Sequence, residues 1–195
     1  MILSGARVVL RPWRDEDREP FAAMNADGRV MEFFPRLLSR AESDTSVDGI
    51  QAHFVRHGFG LWAVEVPEAP FIGFTGLAVP RFTAAFTPCV EIGWRVAVEH
   101  WGKGYATEAA RLALAYGFDT AGLGEIVSFT TVANLRSRAV MERLGMRRDP
   151  GDDFDHPSLP DGHPLRRHML YRIKSSLGAR HSSVAPPATT RSKSR

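Results

Sequence analysis

Apolar and polar positions alternate at the start of the chain and then change to a helical period. Val8 and Leu10 fall on one face of residues 5–13, which predicts a first strand. Asp15 is the predicted N-cap of a short helix, because a carboxylate there accepts hydrogen bonds from first-turn N–H groups. The turn-forming residues at 25–28 end that helix.

A second helix is delimited at both ends. Ser39 and Glu42 form the S-x-x-E pattern of a capping box, in which each side chain accepts a hydrogen bond from the other residue's backbone N–H. Apolar residues at i, i+3 and i+7 from Val47 give this helix one apolar face. Gly58 ends it.

Seven further elements complete the order β-α-α-β-β-β-α-β-α-β. The fold class is therefore α+β (mixed α/β), a sheet with helices on its faces. The predicted segments are strands at 61–66, 72–79, 90–98 and 125–132, helices at about 106–120 and from Asn134 to about 144, and a closing strand at 167–172.

Two glycines, Gly102 and Gly104, stand one residue apart where the strand at 90–98 gives way to the alanine-rich helix. Glycines at such a turn let the backbone approach a ligand with its N–H groups pointing inward, and the helix N-terminus adds positive potential. The turn therefore predicts a pyrophosphate site. It is neither a Walker loop, since G-x-x-x-x-G-K-[ST] is absent, nor a Rossmann fingerprint, since the third glycine is missing.

Composition is typical of one globular domain. The 195 residues are 44% hydrophobic and 24% charged, which is enough for a sizeable core. No apolar run approaches the ~20 residues of a membrane helix, and we expect no signal peptide in the first residues. The single cysteine, Cys89, excludes an intramolecular disulfide and favours the reducing cytoplasm. We interpret it as a strand residue rather than a catalytic thiol.

The formal net charge of +3 is unevenly distributed. Residues 1–161 hold 17 Lys/Arg against all 22 Asp/Glu, and the rest of the chain holds eight basic residues and no acidic one. Aromatic residues are not interleaved with these basic residues, so a nucleic-acid partner is not expected. Residues 175–195 are rich in Ser, Ala, Thr, Pro and basic residues, which predicts a disordered tail after one domain at 1–174.

Several segments of the chain form recognisable motifs. They are VEIGWRV at 90–96 with WGKGYATEA at 101–109, NLRSRAVMERLGM at 134–146, RHMLYR at 167–172, LRPW at 10–13 and VMEFFP at 30–35. Over about residues 5–174 they resemble the motifs of the GNAT N-acetyltransferases. The first is similar to the acetyl-CoA-binding motif and the second to the motif that follows it, and the other three are similar to the branch that includes the ribosomal-protein N-terminal acetyltransferases (RimJ/RimL-like).

This resemblance implies the GNAT fold, a mostly antiparallel sheet of about six to seven strands flanked by about four helices. It implies an acyltransferase that uses acetyl-CoA as cosubstrate and no metal. In the family the strand at 94–98 diverges from its neighbour at 128–132, and the pantetheine enters the gap. The residues that the resemblance assigns to the cofactor are Trp94, Val96, Val98, Gly102, Lys103, Gly104, Tyr105, Ala106, Asn134 and Ser137.

Acetyl transfer to an amine needs a group that accepts the amine proton and a donor for the departing thiolate. Glu91 is the candidate base, on one strand face with Gly93 and Arg95. A surface Glu91 paired with Arg95 is the alternative. Many family members have a tyrosine seven residues after the motif asparagine, where this chain has Met141, so Ser137 is the candidate donor. The alternative is a serine that bonds its own helix.

Loop residues are the candidates for the acceptor site. Phe34 and Phe154 are predicted to line a pocket, and Asp153 and Asp155 to attract a cationic amine; ordinary packing and a solvated acidic loop are the alternatives. The expected acceptor is a protein N-terminal α-amine. A small amine of the aminoglycoside or polyamine type, or a non-catalytic CoA-binding scaffold, is the alternative. The histidines show no metal-ligand spacing, no membrane contact is expected, and the family makes a homodimer an open option.

Overall fold

The structure is a computed structural model that describes residues 1–175, so the predicted tail lies, from residue 176 onward, outside the described residues. The helices are α1 (Arg18–Ala26), α2 (Arg40–His57), α3 (Tyr105–Ala115) and α4 (Leu135–Arg143). The strands are β1 (Leu3–Ser4), β2 (Val9–Arg11), β3 (Leu61–Val66), β4 (Ala69–Ala78), β5 (Glu91–Val96), β6 (Glu125–Thr131), β7 (Arg147–Arg148), β8 (Phe154–Asp155) and β9 (Arg167–Lys174).

The nine strands of residues 1–175 form one sheet in the order β1-β2-β3-β4-β5-β6-β9-β7, with β8 also paired to β9. Neighbours are antiparallel except β5 and β6, which are parallel because α3 connects them as a crossover. β1, β7 and β8 are two residues long, and the six longer strands match the predicted number. The predicted mixed fold is confirmed. Among the described residues, no helix has the length and apolarity to cross a bilayer.

Helices cover both faces of the sheet and bury two apolar cores. On one face, the alanines of α3 meet Ile92 and Val96 of β5 in the larger core. On the other, α1 and α2 bring Phe21 and Val47 against Phe74 of β4. Along β5, Ile92, Trp94 and Val96 face the larger core, while Glu91, Gly93 and Arg95 face the other side of the sheet. The packing of α3 on β5 fixes the start of this helix near the end of that strand.

The predicted strand at 5–13 is wrong in one respect, because the chain turns between β1 and β2. The Gly5 N–H donates to the Val8 carbonyl (2.8 Å) and closes the turn. Arg7 lies within it, and its backbone N–H donates to Glu108 of α3 (2.7 Å). A partner about a hundred residues away thus interrupts the strand. The strand predicted at 90–98 is also shorter, since a 3-10 turn at Val98–His100 follows β5.

The predicted cap Asp15 is likewise wrong. The Asp17 carboxylate accepts the Arg14 N–H (2.8 Å), while Asp15 only pairs with Arg18 at the surface (3.4 Å). Asp17 is drawn inward because Arg11 is 2% exposed and needs a counter-charge, which lies 2.7 Å away. The capping box at residue 39 and the left-handed glycine at 58 that ends α2 are confirmed.

Candidate active site

The parallel neighbours β5 and β6 remain in register for a single residue pair. Glu91 is opposite Val127, the Val127 N–H donates to the Val90 carbonyl (2.9 Å), and the Ser128 hydroxyl donates to the Ile92 carbonyl (2.9 Å). Beyond Ile92 the two strands share no registered pair. An open seam, as we call the gap between residues 94–98 and 129–131, therefore leads toward the start of α3.

Backbone groups of β5 line the seam. Carbonyls alternate sides along a strand, so the Trp94 carbonyl points the same way as that of Ile92, into the seam. The Val96 carbonyl accepts the indole N–H of Trp101 (2.7 Å), and the Val98 carbonyl accepts the backbone N–H of Trp101 (3.0 Å). Trp94 is thus the position where an extended chain of amides can add to the strand edge.

At the end of the seam, the five backbone N–H groups of residues 102–106 have no acceptor within the described part of the chain. Gly102 and Gly104 have positive φ angles (73° and 83°), and Gly104 is the N-cap of α3 without a side-chain cap. A Cβ built on Gly102 would meet nothing within 4 Å. First-turn N–H groups that face open space are suited to bind an anion, and the five N–H groups are called the anion site below.

Arg7 supports this glycine turn from the N-terminal hairpin. Its guanidinium pairs with Glu108 (2.8 Å), donates to the Lys103 carbonyl (3.0 Å) and lies 5.2 Å from the Tyr105 ring centre. The Tyr105 hydroxyl donates to Glu68 (2.6 Å), which lowers the pKa of that carboxyl. The Lys103 side chain is exposed, which fits both a phosphate contact and a solvated loop lysine.

Asn134 is the N-cap of α4, and both polar atoms of its side chain form hydrogen bonds. Its Oδ1 accepts the Ser137 N–H (3.1 Å), and its Nδ2 donates to the Thr130 hydroxyl (3.0 Å). The Ser137 hydroxyl has no hydrogen-bond partner among the described residues, so it does not bond its own helix. Met141, one turn later, is 1% exposed and belongs to the core. Ser137 is thus the hydroxyl that α4 offers on this side.

Glu91 occupies the position where β5 and β6 separate. It is partly buried and makes no ion pair or hydrogen bond with another described side chain, Arg95 included. Burial raises its pKa to about 8, from an ordinary value of 4.5. Burial also raises the pKa of the Cys89 thiol to about 11, which leaves the thiol protonated near neutral pH.

Open space lies on the Glu91 side of β5. Gly93 is between Glu91 and Arg95 on this face, and a Cβ there would meet nothing within 4 Å. The Arg95 guanidinium lies 4.0 Å from the ring centre of Phe34, and its Nη1 donates to the Asn25 side chain. Glu91, Gly93 and Arg95 thus form the floor of a cleft, called the acceptor cleft below.

The loop between α1 and α2 spans the mouth of the seam. Arg136, at the start of α4, forms an ion pair with Glu32 of this loop. The same guanidinium lies 4.5 Å from the Trp101 ring centre and 5.5 Å from that of Phe33. These contacts join the segment after β6 to the segment after β5.

An aromatic group forms the β6 side of the acceptor cleft. Phe129 lies two residues beyond Val127 and so shares the Glu91 face. Around Phe129, ring centres lie 5.5 Å away in Phe154 and 5.6 Å away in Phe82. The group comprises Phe82, Phe86, Phe129, Phe154, His156 and His168.

The two histidines of the aromatic group are uncharged near neutral pH. Burial lowers the pKa of both imidazoles. His168 Nδ1 lies 3.0 Å from the Arg166 carbonyl, and His156 Nδ1 accepts the Ser158 N–H (3.3 Å). Their ring centres are 5.0 Å apart. This wall of the acceptor cleft is therefore apolar and without net charge.

The predicted acidic residues already have arginine partners. Arg148 binds Asp153 through two bonds, one of them 2.9 Å, and lowers the pKa of that carboxyl. Asp155 pairs with Arg167 (3.3 Å) and Arg166 (3.6 Å). The geometry therefore gives neither carboxylate the free charge that attraction of a cationic amine would need. Phe154 and Phe34, by contrast, both border the acceptor cleft.

Sequence reasoning missed Arg7, Asn25, Arg136 and the phenylalanines of the loop between β4 and β5. Each acts through a partner far away in the chain, such as Asn25 with Arg95, 70 residues later. No local pattern marks such pairs. The one available signal was two arginines, Arg7 and Arg95, beside apolar strand residues.

Comparisons with known proteins agree with the fold. A family model described as an acetyltransferase (GNAT) domain matches residues 7–147. The FsC-acetyl coenzyme A-N(2)-transacetylase of Aspergillus fumigatus is 34% identical over 155 residues, which is 74% of this chain and 64% of that protein's length. A GNAT-family acetyltransferase from Bacillus anthracis superposes with a TM-score of 0.73 at 25% identity, covering 89% of this chain and 98% of that one. A RimL ribosomal L7/L12 alpha-N-protein acetyltransferase in complex with coenzyme A shares the fold at 13% identity, with a TM-score of 0.71 over 89% of this chain and 98% of that one.

Proposed function

This chain belongs to the GNAT acetyltransferase family, and on that premise we propose that it transfers an acetyl group from acetyl-CoA to a primary amine. The first candidate acceptor is the α-amine of a protein or peptide N-terminus. The observation that carries the proposal is the row of five N–H groups at 102–106 that have no acceptor among residues 1–175. They lie at the end of a seam where β5 and β6 share no registered pair beyond Ile92.

The residues present fit coenzyme A. The N–H groups of Gly102 to Ala106 would hold the pyrophosphate, and the Trp94 edge would bond the pantetheine amides. Asn134 and Ser137 border the other side of the seam. When bound, the cofactor supplies an acetyl group activated as a thioester.

Glu91 is the proposed proton acceptor. Its pKa of about 8 lies near that of an N-terminal amine, about 7.7–8.0, so proton transfer between the two groups is nearly balanced. Gly93 leaves the space in which an amine can approach. Glu91 takes the proton of the ammonium group, directly or through one water, and the neutral amine becomes the nucleophile.

Ser137 is the proposed donor to the departing sulfur. Its hydroxyl has no protein acceptor among the described residues, and its backbone is already held by Asn134. The hydroxyl can therefore turn toward the seam without loss of a structural bond. Met141, with no acidic proton, has no part in this step.

The lining of the acceptor cleft favours a peptide N-terminus over a polycation. Aminoglycosides and polyamines carry several positive charges, and the acidic loop that would attract them is neutralised by arginines. Aromatic rings and uncharged imidazoles suit an apolar side chain next to a single amine. A small amine on an apolar stem fits the same lining and is the second candidate.

Thiol release from acetyl-CoA, followed with a thiol reagent, tests the proposal. Peptides with free N-termini, the same peptides with blocked N-termini, and small mono- and polyamines form the acceptor panel. We expect release with free N-termini and none with blocked ones. Coenzyme A binding without release for every amine would instead identify a non-catalytic scaffold and refute the enzymatic proposal.

A further inference from the structure

Arg95 is a partly buried cation whose contacts within residues 1–175 are all with neutral groups. Of its three guanidinium nitrogens, one has a protein partner in the described structure, the Nη1 that donates to the Asn25 amide oxygen. Its Nε is inaccessible to solvent and makes no hydrogen bond. No carboxylate of residues 1–175 lies within ion-pair distance of it. A guanidinium withdrawn from water in this way lacks the anion that normally offsets the cost of burial.

Arg11, which is fully buried, contrasts with Arg95 in its counter-charges. Arg11 is 2% exposed and has both Asp17 and Glu65 at 2.7 Å. These carboxylates raise the pKa of Arg11, whereas burial lowers the pKa of Arg95 to about 10. The chain thus supplies a counter-charge to the arginine that is purely structural and none to the one that lies in the acceptor cleft.

The position of Arg95 is held by its surroundings rather than by charge. Asn25 is fully buried and its Nδ2 donates to Ser43 of α2 (2.9 Å), which fixes the amide oxygen that Arg95 contacts. Phe34 and Phe74 lie 4.0 and 5.3 Å from the guanidinium. Beside it, Gly93 leaves open space. An oriented, partly desolvated guanidinium next to an open floor can offer Nη2, which has no protein partner among residues 1–175, to an anion.

We propose that Arg95 binds a carboxylate of the acceptor, so that the preferred substrates are amines that also carry an acidic group. This inference rests on the proposed function, because it places the acceptor amine at Glu91. Glu91 and Arg95 are four residues apart, about 13 Å along the strand. The acidic group therefore belongs several bonds from the amine, as does a glutamate side chain near a peptide N-terminus.

Matched acceptors test the inference through binding, separately from turnover. The probes are tetrapeptide amides of alanine with a free N-terminus and either Glu or Gln at position 2 or 3, together with 6-aminohexanoate and 6-aminohexanamide. Calorimetry measures their Kd for the full chain saturated with coenzyme A. At one or more positions we expect the acidic member to bind about tenfold or more tightly, as for a hydrogen-bonded buried charge.

Variants identify the residue responsible. Arg95→Gln should remove the preference, and Arg95→Lys should retain a smaller part of it because it keeps the charge without the fork of donors. Arg29→Gln is the matched control, since Arg29 is an exposed arginine of the loop between α1 and α2 that pairs with Asp27 (2.6 Å). It should keep the full preference.

Two results would overturn the inference: equal or absent binding of acidic and neutral members by the wild-type chain, or a preference that persists in Arg95→Gln. The wild-type comparison decides even if Arg95→Gln does not fold. Thiol release is recorded in parallel. Its absence with every amine refutes acetyl transfer, whereas release at equal rates and affinities for both members refutes the role of Arg95 alone.

Discussion

Arg7 and Glu108 are bound to each other through both backbone and side chain, although 101 positions separate them in the sequence. The Arg7 N–H and guanidinium occupy both carboxylate oxygens of Glu108, and a third bond reaches the Lys103 carbonyl. The N-terminal hairpin is thereby fastened to the turn whose N–H groups are proposed to hold the pyrophosphate. The shape of that turn depends on a residue outside it.

Replacement of Arg7 should therefore weaken coenzyme A binding. Arg7→Gln removes the ion pair and the bond to Lys103, and we expect the Kd for coenzyme A to rise about three- to tenfold with a stability loss of about 1 kcal/mol or less. Calorimetry and urea unfolding give the two quantities. The exposed pair of Arg36 with Glu42 (2.6 Å) provides the control, and Arg36→Gln should leave the Kd unchanged. An unchanged Kd in Arg7→Gln would refute this role.

Alanine at Gly104 should separate backbone strain from ligand binding. The left-handed φ of +83° costs an alanine about 1–2 kcal/mol, and the new methyl would lie 3.4 Å from the Arg7 guanidinium. Gly122→Ala is the matched control, with φ of +67° and no atom within 4 Å. We expect both variants to lose similar stability in thermal unfolding, and Gly104→Ala alone to lose coenzyme A affinity. Equal affinities would argue against the anion site.

Loss of the Glu91 carboxylate should slow acetyl transfer. Glu91→Gln keeps the shape but cannot accept a proton, and we expect kcat to fall about 10²–10³-fold. In the wild type, kcat/KM should rise with pH through about 8, since the raised pKa keeps Glu91 protonated below that value. A weakly basic acceptor amine, uncharged over the whole range, isolates the titration of the enzyme. A pH profile that is the same in Glu91→Gln would exclude Glu91 as the base.

Glu91 should also make stability depend on pH. Its folded-state pKa of about 8 is above the ordinary 4.5, so its contribution is complete below about pH 4.5 and is lost as pH rises through 8. Allowing for its partial exposure, we expect the wild type to lose about 2–4 kcal/mol relative to Glu91→Gln over this range. Urea unfolding of both proteins between pH 5 and 9 measures the difference. Parallel curves would contradict the burial of this carboxyl.

The Ser137 hydroxyl should matter for the departing sulfur and not for the fold. Because Asn134 binds the Ser137 backbone N–H, Ser137→Ala leaves the cap of α4 intact. We expect kcat to fall about tenfold or more, with little change in unfolding temperature or in KM for acetyl-CoA. Ser137→Thr restores a hydroxyl and should recover part of the rate. An undiminished kcat in Ser137→Ala would assign proton donation to another group.

Local sequence patterns predicted the helices and strands, whereas contacts between distant residues determined which carboxylate bonds the backbone before α1 and which side chains line the acceptor cleft. The capping box at Ser39 and the N-cap at Asn134 are encoded within four residues, so they were predictable from the sequence. The glycine turn was predictable for the same reason. By contrast, Asp17 replaces Asp15 because Arg11 is buried nearby, and the acceptor cleft depends on the contact of Arg95 with Asn25. Tertiary packing determines these contacts, so they cannot be predicted from a short stretch of the sequence.

The electrostatic potential at the site could not be predicted from local sequence either. Asp153 and Asp155 read as free carboxylates in an acidic loop, but β7 and β9 bring Arg148 and Arg167 against them. The number of acidic residues in a segment therefore did not predict the electrostatic potential at the site. The part that the phenylalanines of the loop between β4 and β5 take in the site could not be predicted, because it depends on contact with β6 and β8.

The single registered pair between β5 and β6 has a consequence for how the molecule responds to its cosubstrate. Beyond that pair, β6, α4 and the C-terminal strands are joined to the rest of the fold by the α3 crossover and by side-chain contacts such as that of Arg136 with Glu32, without a continuous backbone ladder to β5. A pantetheine chain lying between the strands would supply hydrogen bonds that the protein itself omits. The pantetheine chain would then act as a missing strand. Its hydrogen bonds would make the unfolding of the two parts of the sheet more cooperative.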